Sequence, residues 1–288
     1  MAIFNVVRKL LTKRIDSNST PNEIIQFKQN AWMSKKMSDY YDREVETSFF
    51  NAVTFPLFSE GIARSSNVLD VGAGTGRLSI AFGKMGCNVM AVDISKNQLA
   101  KINDFCKSQA ECEALKIQTL ESSAFSIPCP SESFDIVTSM DLMSHFPNWD
   151  EILIEKARLC KKGGRVIFNC LSKENLTWLE DPKAVAFNKG DALTTSVSTA
   201  IDRPMLEHVA AKISLSIESI HPYNFFAGNS MFGSHMTSDE IVCLASIFDK
   251  LVKNGEVLSL LEKFEKSFIS SLPASHARAI IVKLKKDE

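Results

Sequence analysis

The sequence predicts an α/β protein, a doubly wound and mostly parallel seven-stranded sheet with helices on both faces, preceded by a helical N-terminal extension. Three observations carry this. Apolar, β-branched runs alternate with helical patterns between residues 67 and 170, as in successive strand–helix–strand units. The first of these runs holds an acid and leads into three alternate glycines, Asp70-Val71-Gly72-Ala73-Gly74-Thr75-Gly76. A hydrophobic content of 45% over 288 residues suffices for a sizeable core.

The elements follow in order. Ile3, Phe4, Val6, Val7, Leu10, Leu11 and Ile15 interleave with Arg8, Lys9, Lys13 and Arg14, a basic amphipathic helix. It packs on its own domain, packs on a second copy in a homodimer, touches a membrane surface, or resembles a transit segment. With no apolar stretch and cleavage site behind it, it does not read as a secretion signal. Residues 22–60 read as mainly helical, so 1–60 form the extension and 61–288 the main domain. Strands are expected near 67–71, 88–92, 116–120, 134–139 and 164–170. Ser95-Lys96-Asn97-Gln98 has the pattern of a capping box opening a helix, in which serine and glutamine side chains each satisfy the other's backbone N–H. Residues 171–212 form an irregular inserted segment, within which Asp202-Arg203-Pro204 starts a helix. Ile213–Ile220 alternates like a sixth strand. Thr237-Ser238-Asp239-Glu240 is a second capping box ahead of a helical region reaching Leu272, and Ala279–Leu284 is the last strand.

Composition narrows the function. A net charge of −1 argues against a nucleic-acid surface. Seven cysteines with no CxxC spacing read as reduced thiols in a cytoplasmic protein. No Cys/His pairing has metal-ligand spacing, so no metal is expected. No apolar run reaches the ~18 residues of a membrane span.

The glycine spacing selects the ligand class. A dinucleotide fingerprint, G-x-G-x-x-G, would require glycine where Arg77 stands, and a P-loop would require Gly-Lys-Ser/Thr where Gly76-Arg77-Leu78 stands. Asn88-Val89-Met90-Ala91-Val92-Asp93 is a second buried strand ending in an acid, 21 residues after Gly72. A carboxylate there can accept ribose hydroxyls, or serve as an acid favoured by the dipole of the following helix.

The acid-x-Gly-x-Gly-x-Gly pattern resembles the first motif of the class I S-adenosyl-L-methionine (SAM) dependent methyltransferases of the small-molecule type. Ser123 to Val137 is similar to that family's third motif and fourth strand, with serine where the family usually has aspartate. Lys161-Lys162-Gly163-Gly164 resembles its turn into the fifth strand, with Lys162 where the family usually has proline. The likeness is good over about residues 60–170 and holds beyond only in outline.

The resemblance implies SAM as cofactor and an antiparallel last strand. It implies that Asp70, Gly72, Ala73, Gly74 and Gly76 shape the methionine end of the cofactor site. Asp93 and Ile94 would face the ribose, and Ser123 and Ala124 the adenine. Met140 would line the adenine or methionine part. An N-terminal helix with aromatics would act as a lid, which turns attention to Trp32, Tyr40 and Tyr41. Asn-Pro-Pro-Tyr at the fourth strand, expected for amino methylation of bases or amides, is absent.

Asp141 and His145 are four apart after that strand and would share a face on a helical turn. His145 is the candidate base, because an imidazole titrates near neutrality; a satisfied structural histidine is the alternative. Tyr40 is a second candidate catalytic residue. Trp32, Tyr41, Asp141 and Tyr223 are candidate acceptor-binding residues, and ordinary core packing is the alternative for the aromatics.

The expected activity is methyl transfer to an O, N or C atom of a small organic molecule. A SAM-using cyclase or lyase and a non-catalytic SAM-fold binding protein are the alternatives, since fold does not fix function.

Overall fold

The computed structural model describes residues 20, 22, 23, 26, 50–108, 114–146, 148–173, 200–223, 247, 250–267, 271 and 279–288. Trp32, Tyr40, Tyr41, the basic helix expected over 3–15, the stretch 174–199, Phe225 and Phe226, and the box at Thr237–Glu240 lie outside the described residues.

Eight strands form one sheet: β1 Asn67–Val71, β2 Asn88–Asp93, β3 Ile117–Glu121, β4 Phe134–Ser139, β5 Cys160–Ser172, β6 Ala200–Ile201, β7 Leu215–Tyr223 and β8 Ala279–Lys286. Their order is β3-β2-β1-β4-β5-β8-β7, with β6 pairing to β5. The first five strands run parallel, and β8 is antiparallel to both β5 and β7. The chain order reverses between β1 and β4. This is the switch point at which doubly wound sheets open a crevice beyond the carboxyl ends of their strands.

Both faces of the central strands are buried, which explains their continuous apolar runs. Leu69, Val71, Val92, Val137 and Phe168 point to one face, and Val68, Val89, Ile136 and Ile167 to the other. Helices cover both. α1 (Phe55–Ser59) and α2 (Arg77–Met85) bury Phe58, Leu78 and Phe82 on the second face. Leu99 and Ile102 of α3 (Lys96–Ser108) pack against Ala91 of β2. α4 (Trp149–Leu159) and α5 (Arg203–Ala210) bury Ile152, Leu153, Leu206 and Ala210 on the first face. Among the described residues, no helix is long and apolar enough to cross a membrane.

Several expectations shift. The sheet has an eighth strand, because Ala200–Ile201, inside the segment read as irregular, pairs with Leu171–Ser172. β5 starts at Cys160 rather than near 164. Cys160 opposes Phe134 and Arg165 opposes Ile136, so Lys161–Gly164 is a bulge within the strand rather than a turn before it. The helical region expected to run to Leu272 breaks at Lys253–Asn254, where the Asn254 side chain accepts from the Glu256 N–H at 2.9 Å and starts α6 (Gly255–Ser267) afresh. The helix expected at Asp202 forms as α5, with the Asp202 carboxylate accepting from the Met205 N–H at 2.9 Å.

Candidate cofactor and acceptor cleft

The glycine turn is fastened to β2 by backbone bonds. Gly72 and Ala73 donate to the Val92 carbonyl at 2.7 and 2.9 Å. Gly74 donates to Asp93 Oδ2 at 2.8 Å. All three glycines have positive φ, but their surroundings differ. A Cβ on Gly76 would lie 2.7 Å from the Ile102 side chain, whereas one on Gly74 meets nothing within 4 Å. Gly76 therefore lets α2 approach α3, and Gly74 opens the turn toward the cleft.

Two buried acids sit beneath and beside this turn. Asp70 is 1% exposed. Burial pushes its carboxyl up to about 6, against the pull of the Ser79 hydroxyl, which donates at 2.6 Å, and of the Lys156 ammonium. Asp93 is likewise raised by burial, opposed by the N–H groups of Ser95, Gly74 and Ile94. Each Asp93 oxygen holds one of those donors, Gly74 N–H on Oδ2 and Ser95 N–H on Oδ1 at 2.8 Å each. Lys156 of α4 is fully buried; it donates to the Ser139 hydroxyl and its ammonium lies 5.2 Å from the Phe168 ring centre. Burial lowers it to about 7, opposed by Asp70. Desolvation and this opposite charge compete at both groups.

The chain leaves β4 through Asp141 with φ +55°, an uncommon conformation for a residue with a side chain. Asn169 of β5 clamps it: its amide oxygen accepts from the Asp141 N–H, and its amide nitrogen donates to Asp141 Oδ1, each at 2.6 Å. The other carboxylate oxygen pairs with the Arg77 guanidinium at 2.9 Å, which lies 5.5 Å from the Phe50 ring centre. Met143–His145 then form a short 3₁₀ turn, held to β5 where the Ser144 hydroxyl accepts from the Leu171 N–H at 2.8 Å.

These parts enclose a cleft of about 700 Å³, open mouth included. Of the residues expected in the site, Asp70, Gly72, Ala73, Gly74 and Asp93 line its floor and Met140, Asp141 and His145 its wall. Gly76, Ile94, Ser123 and Ala124 are not among the lining residues. Gly76 is spent on helix packing. Ser123 accepts from the Phe125 N–H at 3.3 Å, and Ala124 packs against the core of the first face. Tyr223 ends β7 opposite Ala279. Among the described residues no group of His, Cys, Asp or Glu is placed to hold a metal ion.

Thr75, Arg77, Leu78, Gln98 and Leu142 also line the cleft and were not expected to. Arg77 carried one sequence signal, as the cation that directly follows the glycine turn. Gln98 carried a misleading one. As a capping-box residue its side chain would accept from Ser95 N–H, but that donor is held by Asp93, so only the serine half of the box forms, from Gln98 N–H to Ser95 Oγ at 3.4 Å.

Residues 69–168 match the family described as "Methyltransferase domain". A curated relative from Sodalis glossinidius, "Ubiquinone biosynthesis O-methyltransferase", is 31% identical over 168 residues, covering 56% of this chain and 64% of the relative. A Coxiella burnetii relative of the same name is 32% identical over 116 residues, 40% of this chain and 48% of its own length. The chain thus spans about half to two-thirds of these relatives. A putative methyltransferase from Bacillus halodurans shares the fold at 17% identity and a TM-score of 0.55, covering 82% of this chain and 98% of that one. The match over 69–168 starts in β1, runs through the glycine turn and both acids, and ends in β5, so this part of the chain is similar to methyltransferase domains and shares their fold.

Proposed function

We propose that this chain moves a methyl group from SAM to an oxygen, nitrogen or carbon atom of a small organic molecule. The observation that carries the reading is the cleft at the switch point. Its floor is an open Gly74 turn beside Asp93, and three carboxylates face it with one guanidinium, Arg77, among its described lining. That balance suits a ligand bearing a sulfonium, an ammonium and a single carboxylate, because opposite charges attract strongly where water is excluded. Relatives named for O-methylation support oxygen as the acceptor atom.

SAM, when bound, supplies an electrophilic methyl carbon. The chain's own residues do the rest. The Gly72–Gly76 turn lets the methionine part approach the backbone. Arg77 receives its carboxylate, giving up part of its contact with Asp141. Asp93 receives the ribose, and the Ser123–Ala124 loop the adenine. His145, on the cleft wall next to Asp141, takes the acceptor's proton. Holding acceptor and methyl in line contributes up to ~7–11 kcal/mol through proximity. Trp32, Tyr40, Tyr41 and Tyr223 contact the acceptor in this reading.

The test is calorimetry with S-adenosylhomocysteine (SAH) and NAD, then product analysis with hydroxylated aromatic acceptors. SAH binding and a methylated product are expected. NAD binding without SAH binding would overturn the cofactor. The fold likeness extends to a [4+2]-cyclase, SpnF, at 16% identity and a TM-score of 0.53, covering 81% of this chain and 80% of that one. A rearranged but unmethylated product would therefore move the chain to a cyclase reaction.

A further inference from the structure

One ion pair bridges the two sides of the cleft. Arg77 starts α2 directly after the glycine turn, Asp141 follows β4, and both line the cleft. The guanidinium lies 2.9 Å from Asp141 Oδ2, with the side chains 20% and 46% exposed. That exposure leaves the pair within reach of a ligand. Asp141 is held for this contact from behind. Its φ is +55°, and the buried Asn169 accepts from its N–H and donates to its Oδ1. Oδ2 is the carboxylate oxygen left to face Arg77.

Among the described residues that line the cleft, Arg77 is the one guanidinium and no lysine joins it. A ligand carboxylate entering here meets a cation already engaged by a carboxylate. Two carboxylates cannot both hold one guanidinium at full strength, because they repel each other and draw on the same N–H donors. As a structural pin the pair gains the fold little, since partly exposed ion pairs contribute little to stability. Its position matters more to a ligand than to the sheet.

We propose that the Arg77–Asp141 pair is a latch. Asp141 competes with the cofactor's carboxylate for Arg77, so the empty cleft is autoinhibited until the cofactor displaces it. This rests on the cofactor reading above. When the ligand carboxylate draws Arg77 away, Asn169 keeps Asp141 in place and Oδ2 is left facing the cleft.

The test is calorimetry on the full chain with SAH and with decarboxylated SAH, which keeps the ammonium and lacks the carboxylate. The wild type should bind SAH the more tightly. Asp141→Asn removes the charge and can keep both bonds to Asn169. It should tighten SAH about two- to fivefold, the scale of a partly exposed ion pair, and leave decarboxylated SAH unchanged or slightly weaker. In an Arg77→Gln background the same substitution should no longer tighten SAH, since the competition is gone. Asp141→Gly, which tolerates the positive φ, is the second variant if asparagine impairs folding. A variant that binds SAH like the wild type, or more weakly, would overturn the inference. So would one that tightens both ligands alike, or that tightens SAH equally without Arg77. If the wild type binds both ligands equally, Arg77 does not receive the carboxylate, and the latch falls while the cofactor reading stands. If it binds neither, the cofactor reading itself fails and the latch with it.

Discussion

The floor and the wall of the cleft are built by different means. In the floor, Gly72, Ala73 and Gly74 are tied to the last two residues of β2 by backbone N–H groups. In the wall, Asp141 is tied by side chains alone, Asn169 from β5 and Arg77 from α2. A floor made of backbone tolerates little change in local conformation but many changes in side chain elsewhere. A wall made of side chains can be retuned by single substitutions without disturbing the sheet. In the proposed function the rigid part holds the cofactor, and the tunable one carries both Arg77 and the acceptor-side Asp141 and His145.

The largest effect should separate two glycines within the floor. Gly76→Ala forces a methyl to 2.7 Å from Ile102 at positive φ, so overpacking and backbone strain together should destabilise by about 2–4 kcal/mol. Gly74→Ala has open space and should lose only about 1–2 kcal/mol while weakening SAH. Thermal melts with calorimetry decide this; equal destabilisation would erase the distinction between packing and ligand-facing glycines.

The buried charges between floor and wall respond to pH. Lys156 is held down to about 7 in the folded chain, well below its unfolded value, so the unfolded chain binds more protons between pH 7 and about 10.4 and stability rises there. Asp70, raised to about 6, works in the opposite sense: its stabilisation is present below about pH 4 and is lost as pH rises toward 6. Lys156→Met should abolish the alkaline rise, whose slope is at most about 1.4 kcal/mol per pH unit. A denaturant series from pH 6 to 10 reads it, and a variant that keeps the slope would assign it to another group.

In the wall, Asn169→Ala removes both bonds that hold the Asp141 backbone and carboxylate. Stability should fall by about 1–2 kcal/mol, with a larger proportional loss in kcat/KM as Asp141 and His145 lose their position. A variant with normal turnover and reduced stability would make the clamp purely structural. The smallest stability effect belongs to Arg77→Gln. Its ion pair with Asp141 is partly exposed and is worth at most about 1 kcal/mol. SAH should bind this variant more weakly, whereas methylthioadenosine, which lacks the carboxylate, should be unaffected. Equal weakening of both would remove Arg77 from the carboxylate.

Sequence reading succeeded where one short stretch carries the whole signal. β1 with its glycine turn, β2 ending at Asp93, and the Asp202 cap of α5 each depend on residues within a few positions of one another, so pattern and turn chemistry suffice. It erred where a local motif had a competitor in space. Ser95 to Gln98 reads as a capping box, yet Asp93 takes the serine N–H and releases the glutamine into the cleft. The space beside Gly76 is set by Ile102 of the next helix, which the glycine spacing does not reveal.

By itself, then, the sequence determined the central strands and the glycine turn, because backbone periodicity and glycine conformation are local properties, and its resemblance to a known family pointed to the cofactor. Only the tertiary structure decided the wall. The Arg77–Asp141 pair spans 64 residues and the Asn169–Asp141 clamp 28, and no periodicity in one dimension encodes which side chains meet across the ends of β4, β5 and α2. The same holds for Lys156, a buried helix residue whose sequence neighbours do not reveal that it meets Ser139 and Phe168. Which charges face one another in a low-dielectric interior is settled by strand order and register, and those exist only once the chain has folded.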